Sequence, residues 1–511
     1  PAPPGHDSTT GPAQPPAAAM TRGPARRLWM VLIFAGLYFA PVPWIIPAVV
    51  GAGLAVLTLR TLSGLTRRGL HPRAVPDDAL VLGSDRRGAK VWVSERELAA
   101  HGLVVGASGA GKTTTLLRIL SELIARGRPV VAIDLKGSPQ LARSVAAAAA
   151  DAGRPFRLWT PDGPAQWNPL GHGNATELKD KLIATERFTE PHYQRAAERY
   201  VQAVLQVLHE LDGRPATLSK VVELMDPHRL RGALRNVPPP LRLRVQDYLA
   251  ALTPDQLSAV RGLQTRLAIL TESHTGGYLE PGAAGQGVDL RSALAGEEVV
   301  LFSLNSATYG KLAAQLGTLA VQDLVCAAGH RLAQGVAPIQ GFVVIDEVSI
   351  LGGDHVLALF ARGREAGLGV LAATQELTDF ERAAPGLRDQ VLGNTAVKLA
   401  HRQEVPASAQ MIAQLAGTER VWEETQQIGG SVLTGGPTGR GTRRQTEQFV
   451  VHPNVIKALG TGDAVLISKM RTQRAQTLRV YPAGAPARSA RRPTDQDRSG
   501  IPQGPPGREL G

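Results

Sequence analysis

Apolar residues along this chain fall into two kinds of run. Residues 102–105, 129–134, 156–159, 299–304, 341–346, 369–375 and 395–399 are short, nearly uninterrupted apolar stretches, several ending in a polar or charged residue. Such runs are predicted to be strands buried on both faces, as in a parallel sheet. Between them lie segments with apolar positions every three or four residues. Leu116, Leu117, Ile119, Leu120 and Leu123 predict one helix, 311–332 a second and 355–366 a third. Strands alternating with helices predict an α/β fold with a mainly parallel sheet. A strand over 90–93 and a short helix over 95–100 lead in, and 463–468 with 477–481 suggests a hairpin at the sheet edge.

The pattern changes between residues 171 and 285. Tyr200, Val204, Val207, Leu208 and Leu211 recur at helical spacing, as do Val245, Tyr248, Leu249 and Leu252, then Leu263, Leu267 and Leu270. This predicts an all-helical insertion between two parts of the α/β domain, 85–170 and 286–481. Its basic stretch, Arg229, Arg231, Arg235, Arg242 and Arg244, is either a substrate surface or a solvated face.

Residues 28–59 carry no charge, which is more than one bilayer core of about 30 Å requires. Pro41, Pro43 and Pro47 interrupt the run, and Arg22, Arg26, Arg27, Arg60, Arg67 and Arg68 flank it on both sides. Positive flanks at both ends favour a transmembrane hairpin over 26–68 that turns near Pro41 and Pro43. A single kinked span is its rival, and a buried core hairpin the plain alternative. The length of the run and the lack of a clean small-residue cleavage site disfavour a signal peptide. Residues 1–25 and 482–511, rich in Pro, Gly and Ala or Arg, read as disordered tails.

Composition narrows the class. At 511 residues the chain can bury a full core, and its single cysteine, Cys326, excludes an intramolecular disulfide framework. The 12 histidines show no ligand-like pairing, so no structural zinc is expected. The net charge of +12 favours contact with nucleic acid or anionic lipid. Aromatic residues make up only 4% of the chain, so nucleic acid, if bound, would be held through its phosphates rather than by base stacking.

The chemistry centres on residues 106–114, Gly106, Ala107, Ser108, Gly109, Ala110, Gly111, Lys112, Thr113 and Thr114. This is the G-x-x-x-x-G-K-[ST] phosphate loop in its required context, with a strand before it and a helix after it. Its glycines let successive backbone N–H groups curl around phosphate oxygens, and the helix N-terminus adds free donors and a positive dipole end. Lys112 would reach the β- and γ-phosphates of ATP, and the Thr113 hydroxyl would ligate Mg²⁺. Far downstream an apolar run ends in Asp346 and Glu347. Asp346 would complete the Mg²⁺ shell, and Glu347 would act as the base that orients and deprotonates the attacking water. Gln375, at the end of another apolar run, would sense the γ-phosphate and water. Arg364, with Arg362 a weaker candidate, would stabilise the transferring phosphoryl group of a neighbouring subunit.

Taken together, these residues resemble the type IV secretion coupling proteins, conjugative DNA-transfer ATPases of the FtsK/HerA-like superfamily. Residues 101–106 look like that family's strand before the phosphate loop, and Asp134-Leu135-Lys136-Gly137 resembles its Asp-Pro-Lys-Gly motif. Asn168-Pro169-Leu170, Gln322-Asp323-Leu324, the run from Asp346 to Gly352 and Ala373-Thr374-Gln375 match further motifs, and Arg364 falls where the family carries its arginine finger. Val348 departs from the usual aromatic, and Ser138 stands where an acid is common. The resemblance implies a RecA-like nucleotide-binding domain behind a membrane anchor, with the ATPase part cytoplasmic at the inner membrane. It also implies a homo-hexameric ring that uses ATP and Mg²⁺ to pump DNA with its attached relaxase into a secretion channel. Two other functions fit the same residues: an FtsK-like double-strand DNA translocase, and a membrane docking protein whose ATP-ordered ring recruits a relaxase.

Overall fold

Strand β3 (Gly102–Val105) lies near the middle of an eleven-stranded sheet, and the order around it explains the rest of the molecule. The computed structural model describes residues 75–484, except 187, 189, 214, 284–286, 335–338, 352, 430–435 and 473. The membrane segment and both tails expected from the sequence therefore lie outside the described residues, apart from positions 482–484.

The described residues open with an antiparallel pair, β1 (Ala79–Ser84) and β2 (Lys90–Ser94), followed by the short helix α1 (Glu95–Ala99) and then β3. Helix α2 (Lys112–Ala125), β4 (Val130–Asp134), α3 (Pro139–Asp151) and β5 (Phe156–Trp159) complete the first α/β part. Six helices come next: α4 (Ala175–Ile183), α5 (Pro191–Asp212), α6 (Leu218–Leu224), α7 (Pro227–Ala233), α8 (Pro239–Ala250) and α9 (Pro254–Glu272). Their starts are written in the sequence. Asn174 with Glu177 and Thr253 with Gln256 form capping boxes, and Thr217 and Asp226 cap α6 and α7. Helix α10 (Leu290–Ala295) returns the chain to β6 (Val299–Ser303). Then follow α11 (Ser306–Tyr309), α12 (Lys311–Ala333), β7 (Gly341–Asp346), α13 (Gly353–Glu365), β8 (Leu368–Thr374), α14 (Leu377–Ala383), α15 (Leu387–Asn394) and β9 (Val397–Ala400). The last stretch holds α16 (Pro406–Ala416), a ribbon of β10 (Thr418–Gly429) and β11 (Gly436–Phe449), α17 (Pro453–Lys457), β12 (Asp463–Ser468) and β13 (Ala475–Val480).

The sheet order is β2-β1-β13-β12-β9-β3-β8-β7-β4-β6-β5. From β9 to β5 every pairing is parallel, and from β12 to β2 every pairing is antiparallel. Successive strand residues alternate between two cores. Leu103, Val105, Val131, Ile133, Val343 and Ile345 face one, and Val104, Val130, Ala132, Phe342 and Val344 face the other. Helices α2 and α3 cover the second face, through Leu116, Leu120, Leu141 and Val145. Helices α12 and α13 and the six-helix segment cover the first, and Tyr200, Val204 and Leu267 share its core with Trp159 and Phe302. Burial on both faces is why these strands read as unbroken apolar runs.

Two expectations need correction. The hairpin β12–β13 is not at the edge: β13 pairs with β1 through Gly83↔Val480, and β1–β2 forms the edge instead. The α/β part begins before residue 85, because β1 is one of its strands. The ribbon β10–β11 was not foreseen. Its described side chains are mostly exposed and polar, so no apolar stripe marks it in the sequence. Among the described residues, one helix, α12, is long and apolar enough to cross a membrane, but two-thirds of its apolar window is buried against the core.

Candidate nucleotide-binding site

Four adjacent parallel strands, β3, β8, β7 and β4, end at the same edge of the sheet. Their register pairs Val105 with Thr374 and Asp134 with Asp346. Residues that follow these strands are therefore neighbours in space although they lie up to 270 positions apart in sequence. The ligand edge of an open α/β sheet is this carboxyl end.

The loop after β3 exposes Ser108 and Gly109 and runs into α2. Gly109 and Gly111 have φ of 72° and 114°, a region that favours glycine. A side chain at Gly106 would place its Cβ 2.6 Å from the Cβ of His401, and one at Gly111 would meet the backbone of Gly462 at 2.9 Å. No side chain caps the N-terminus of α2. Its first N–H groups and the turn before them thus form the donor-rich cradle that a triphosphate requires.

Lys112 is buried at the mouth of this cradle. Its Nζ donates to the Gly106 carbonyl at 2.9 Å and pairs with Glu347 Oε1 at 3.4 Å. Asp346 ends β7. Glu347, one residue on, adopts φ 56° and ψ 43°, a left-handed conformation that a non-glycine residue holds only under constraint. The strand's alternation would send Glu347 to the opposite face, and this turn brings it back to Lys112. Gln375 Nε2 donates to the same Glu347 oxygen at 3.1 Å, and Thr374 Oγ1 donates to Ser349 Oγ at 3.3 Å. Four of the site residues expected from the sequence, Lys112, Asp346, Glu347 and Gln375, are thus brought together. Thr113 and Thr114 are half-buried on the first turn of α2.

Charge at the site is unbalanced. Burial, then Glu347 and then Asp134, raise the Asp346 carboxyl from 3.8 to about 6, with Lys112 the opposing charge. Burial also raises Asp134, although it accepts from the backbone N–H groups of Lys136 and Ser138. Among the described residues no cluster of three or more acidic, His or Cys side chains is arranged to hold a metal by itself, so a cation here would need phosphate oxygens beside the hard oxygen donors Asp346 and Thr113, a donor set that suits Mg²⁺.

Arg364 is placed elsewhere. It is exposed near the end of α13, just before β8 begins, whereas Gln375 follows the other end of β8. It lies at the opposite edge of the sheet from its own phosphate loop, as does the exposed Arg362. Two other sequence motifs have a structural task. Asp323 on α12 accepts from Trp167 Nε1 at 3.1 Å and from Lys181 Nζ at 2.7 Å, and Lys181, fully buried, also donates to the Pro169 and His172 carbonyls. The Asn-Pro-Leu and Gln-Asp-Leu motifs are joined through this network.

The sequence reading did not single out His401, Arg402 or Gly462, which hold the loop from outside. Ala107 N–H donates to the Arg402 carbonyl and Gly462 N–H to the Ala110 carbonyl, each at 2.9 Å. A signal like the one that marked Asp346 and Gln375 was available: His401 directly follows the parallel strand β9, which is apolar apart from Lys398. A cleft of about 460 Å³ elsewhere, lined by His172, Lys220, Glu280 and Asp289 among others, touches none of the phosphate-loop residues.

Two family models match separate segments, "Helicase HerA-like C-terminal" over residues 80–152 and "TraM recognition site of TraD and TraG" over residues 342–460. No curated protein sequence matches the chain. Among solved structures, the unbound bacterial conjugative coupling protein TrwBdeltaN70 is similar, with 15% identity, a TM-score of 0.59, and 81% of this chain and 92% of that one covered. Plasmid coupling protein TrwB in complex with ADP and Mg²⁺ matches with 15% identity and a TM-score of 0.57, over 82% of this chain and 92% of that one. VirB4 of Thermoanaerobacter pseudethanolicus matches with 14% identity and a TM-score of 0.53, over 80% and 98%. These likenesses share the fold, and the two family segments bracket the phosphate loop and the Asp346–Glu347 strand end. The resemblance read in the motifs therefore stands: the chain is similar to the type IV secretion coupling proteins, as a TraG-like relative.

Proposed function

We propose that this chain is a ring-forming, membrane-anchored ATPase that couples ATP hydrolysis to transport of relaxase-bound DNA into a conjugative secretion channel. The observation that carries the proposal is the convergence of Lys112, Glu347 and Gln375 beside Asp346 at one sheet edge, next to an uncapped phosphate loop. The similar TrwB structures, one in complex with ADP and Mg²⁺, support the same reading.

The contacts suggest an order of events. Without nucleotide, Lys112 neutralises Glu347. Entering β- and γ-phosphates give Lys112 a stronger anionic partner, which releases the Glu347 carboxylate. Glu347 then accepts a proton from the attacking water, held in place by Gln375, while ADP leaves from the γ-phosphorus. Bound Mg²⁺ would neutralise phosphate charge, and Asp346 and Thr113 are the residues that would hold it. Arg364 would serve a neighbour's site, because it cannot reach its own. ATP would therefore sit between subunits of a homo-hexamer. The net charge of +12 fits a DNA partner held by its backbone.

DNA-stimulated ATPase activity tests this reading. Glu347→Gln is expected to keep nucleotide binding while hydrolysis and DNA transfer fall by at least a hundredfold. DNA transfer that survives the substitution would leave only a docking role.

A further inference from the structure

His401 is the residue after β9, and none of its surface is exposed. Its ring makes two hydrogen bonds. A carbonyl only accepts, so Nδ1–H donates to the Asp463 carbonyl, 2.9 Å away. Nε2 is then the acceptor, and the Thr115 hydroxyl donates to it at 2.8 Å. Thr115 is the fourth residue of α2, one turn along from Lys112, and its N–H donates to the Gly111 carbonyl. The Cβ of the same histidine fills the space beside Gly106, at the other end of the loop. One buried side chain thus touches the loop at Gly106, the first turn of α2 at Thr115, and the turn that opens β12.

We infer that His401 is a positioning residue for the nucleotide site. Through Thr115 it fixes the first turn of α2, so that the Lys112 ammonium and the Thr113 hydroxyl are set before the phosphates and Mg²⁺ arrive. It touches neither ligand. The inference rests on the reading of residues 106–114 as a nucleotide-binding loop. A bond that only held the fold together would be indifferent to nucleotide. A bond that presets the loop lowers the ordering cost of binding, and its loss weakens affinity.

His101 supplies an internal control. It too is buried with both ring nitrogens bonded: Nε2–H donates to the Phe360 carbonyl at 2.9 Å, and Nδ1 accepts from Val370 N–H at 3.0 Å. It precedes β3, at the sheet edge opposite the phosphate loop.

The test measures equilibrium binding of fluorescent ADP with Mg²⁺, together with the melting temperature, on the full-length chain. Thr115→Val removes only the hydroxyl donor, and His401→Asn keeps the reach to Asp463 but loses Thr115. Each is expected to weaken binding about tenfold, the scale of one buried hydrogen bond. The double substitution should weaken it no further, because both break the same bond. Thr115→Ser should bind as the wild type does. His101→Asn should lower the melting temperature comparably and leave binding unchanged. Wild-type binding by Thr115→Val, additive losses in the double variant, or an equal loss in His101→Asn would each overturn the inference. A wild-type chain that binds no nucleotide, or binds it equally well after Lys112→Ala, would instead refute the nucleotide site itself.

Discussion

If Arg364 acts on a neighbour's nucleotide, two inactive chains must together make an active one. Arg364 precedes β8 and Gln375 follows it, so the seven residues Leu368–Thr374 separate them. At about 3.3 Å per residue that is roughly 20 Å of strand, well beyond what one arginine side chain spans. Arg364→Ala should leave nucleotide binding intact and lower kcat by about a thousandfold or more. Lys112→Ala should abolish binding at its own loop while leaving its Arg364 free to serve the next subunit. In mixed rings a productive site needs the intact loop of one variant beside the intact arginine of the other. Its frequency is the product of the two fractions, so recovery should peak at equal mixing, with about a quarter of sites active. The assay is ATPase activity per chain across mixing ratios, with two affinity tags confirming that mixed assemblies form. Mixed assemblies with no recovery at any ratio would refute the trans assignment. Activity that rises linearly with the fraction of Arg364→Ala chains would show that this variant is active by itself and that the arginine is not required.

Three further outcomes are expected. Asp323→Ala leaves the fully buried Lys181 ammonium facing only carbonyls, so stability should fall by about 3–5 kcal/mol in denaturant unfolding. A loss below about 1 kcal/mol would show that the network is not structural. The Asp346 carboxyl is raised from 3.8 to about 6, so the native state binds its proton more tightly than the unfolded chain, and nucleotide-free stability falls as pH rises across that window. Asp346→Asn should therefore stabilise the nucleotide-free protein by up to about 3 kcal/mol at pH 7.5 and by roughly half as much at pH 5, read as a larger rise in melting temperature at the higher pH, and an equal gain at both would contradict the assignment. Affinity for DNA should drop steeply with salt, as phosphate-backbone contact demands, and a flat response between 50 and 200 mM would remove the backbone-tracking role.

Much of the site was legible in the sequence because its signals are local. A glycine-rich turn between an apolar strand and a periodic helix marks residues 106–114 as a candidate phosphate loop without any tertiary information. Asp346 and Gln375 were marked by their position at the ends of apolar runs. The Trp167–Asp323 and Lys181–Asp323 bonds were not legible, because they join residues more than 140 positions apart. The ribbon β10–β11 was missed because period-two patterning marks a strand only when one face is buried, and its described side chains are largely exposed on both.

By itself, then, the sequence determined the type of the parallel strands, of the helices that start at Lys112, Lys311 and Gly353, and of the helical stretch after residue 171, and it marked the candidate phosphate loop and acids, but it named no element between residues 401 and 462. Tertiary structure decided which strand ends share an edge. The registers Val105↔Thr374 and Asp134↔Asp346 set the loop, the acids and the amide beside one another, and the left-handed turn at Glu347 aims its carboxylate at Lys112. The same sheet order placed β12–β13 inside the sheet, sent Arg364 to the far edge, and set His401 against Thr115. Strand order and register are settled by which buried faces fit together across the whole core, and no local stretch of chain contains that information.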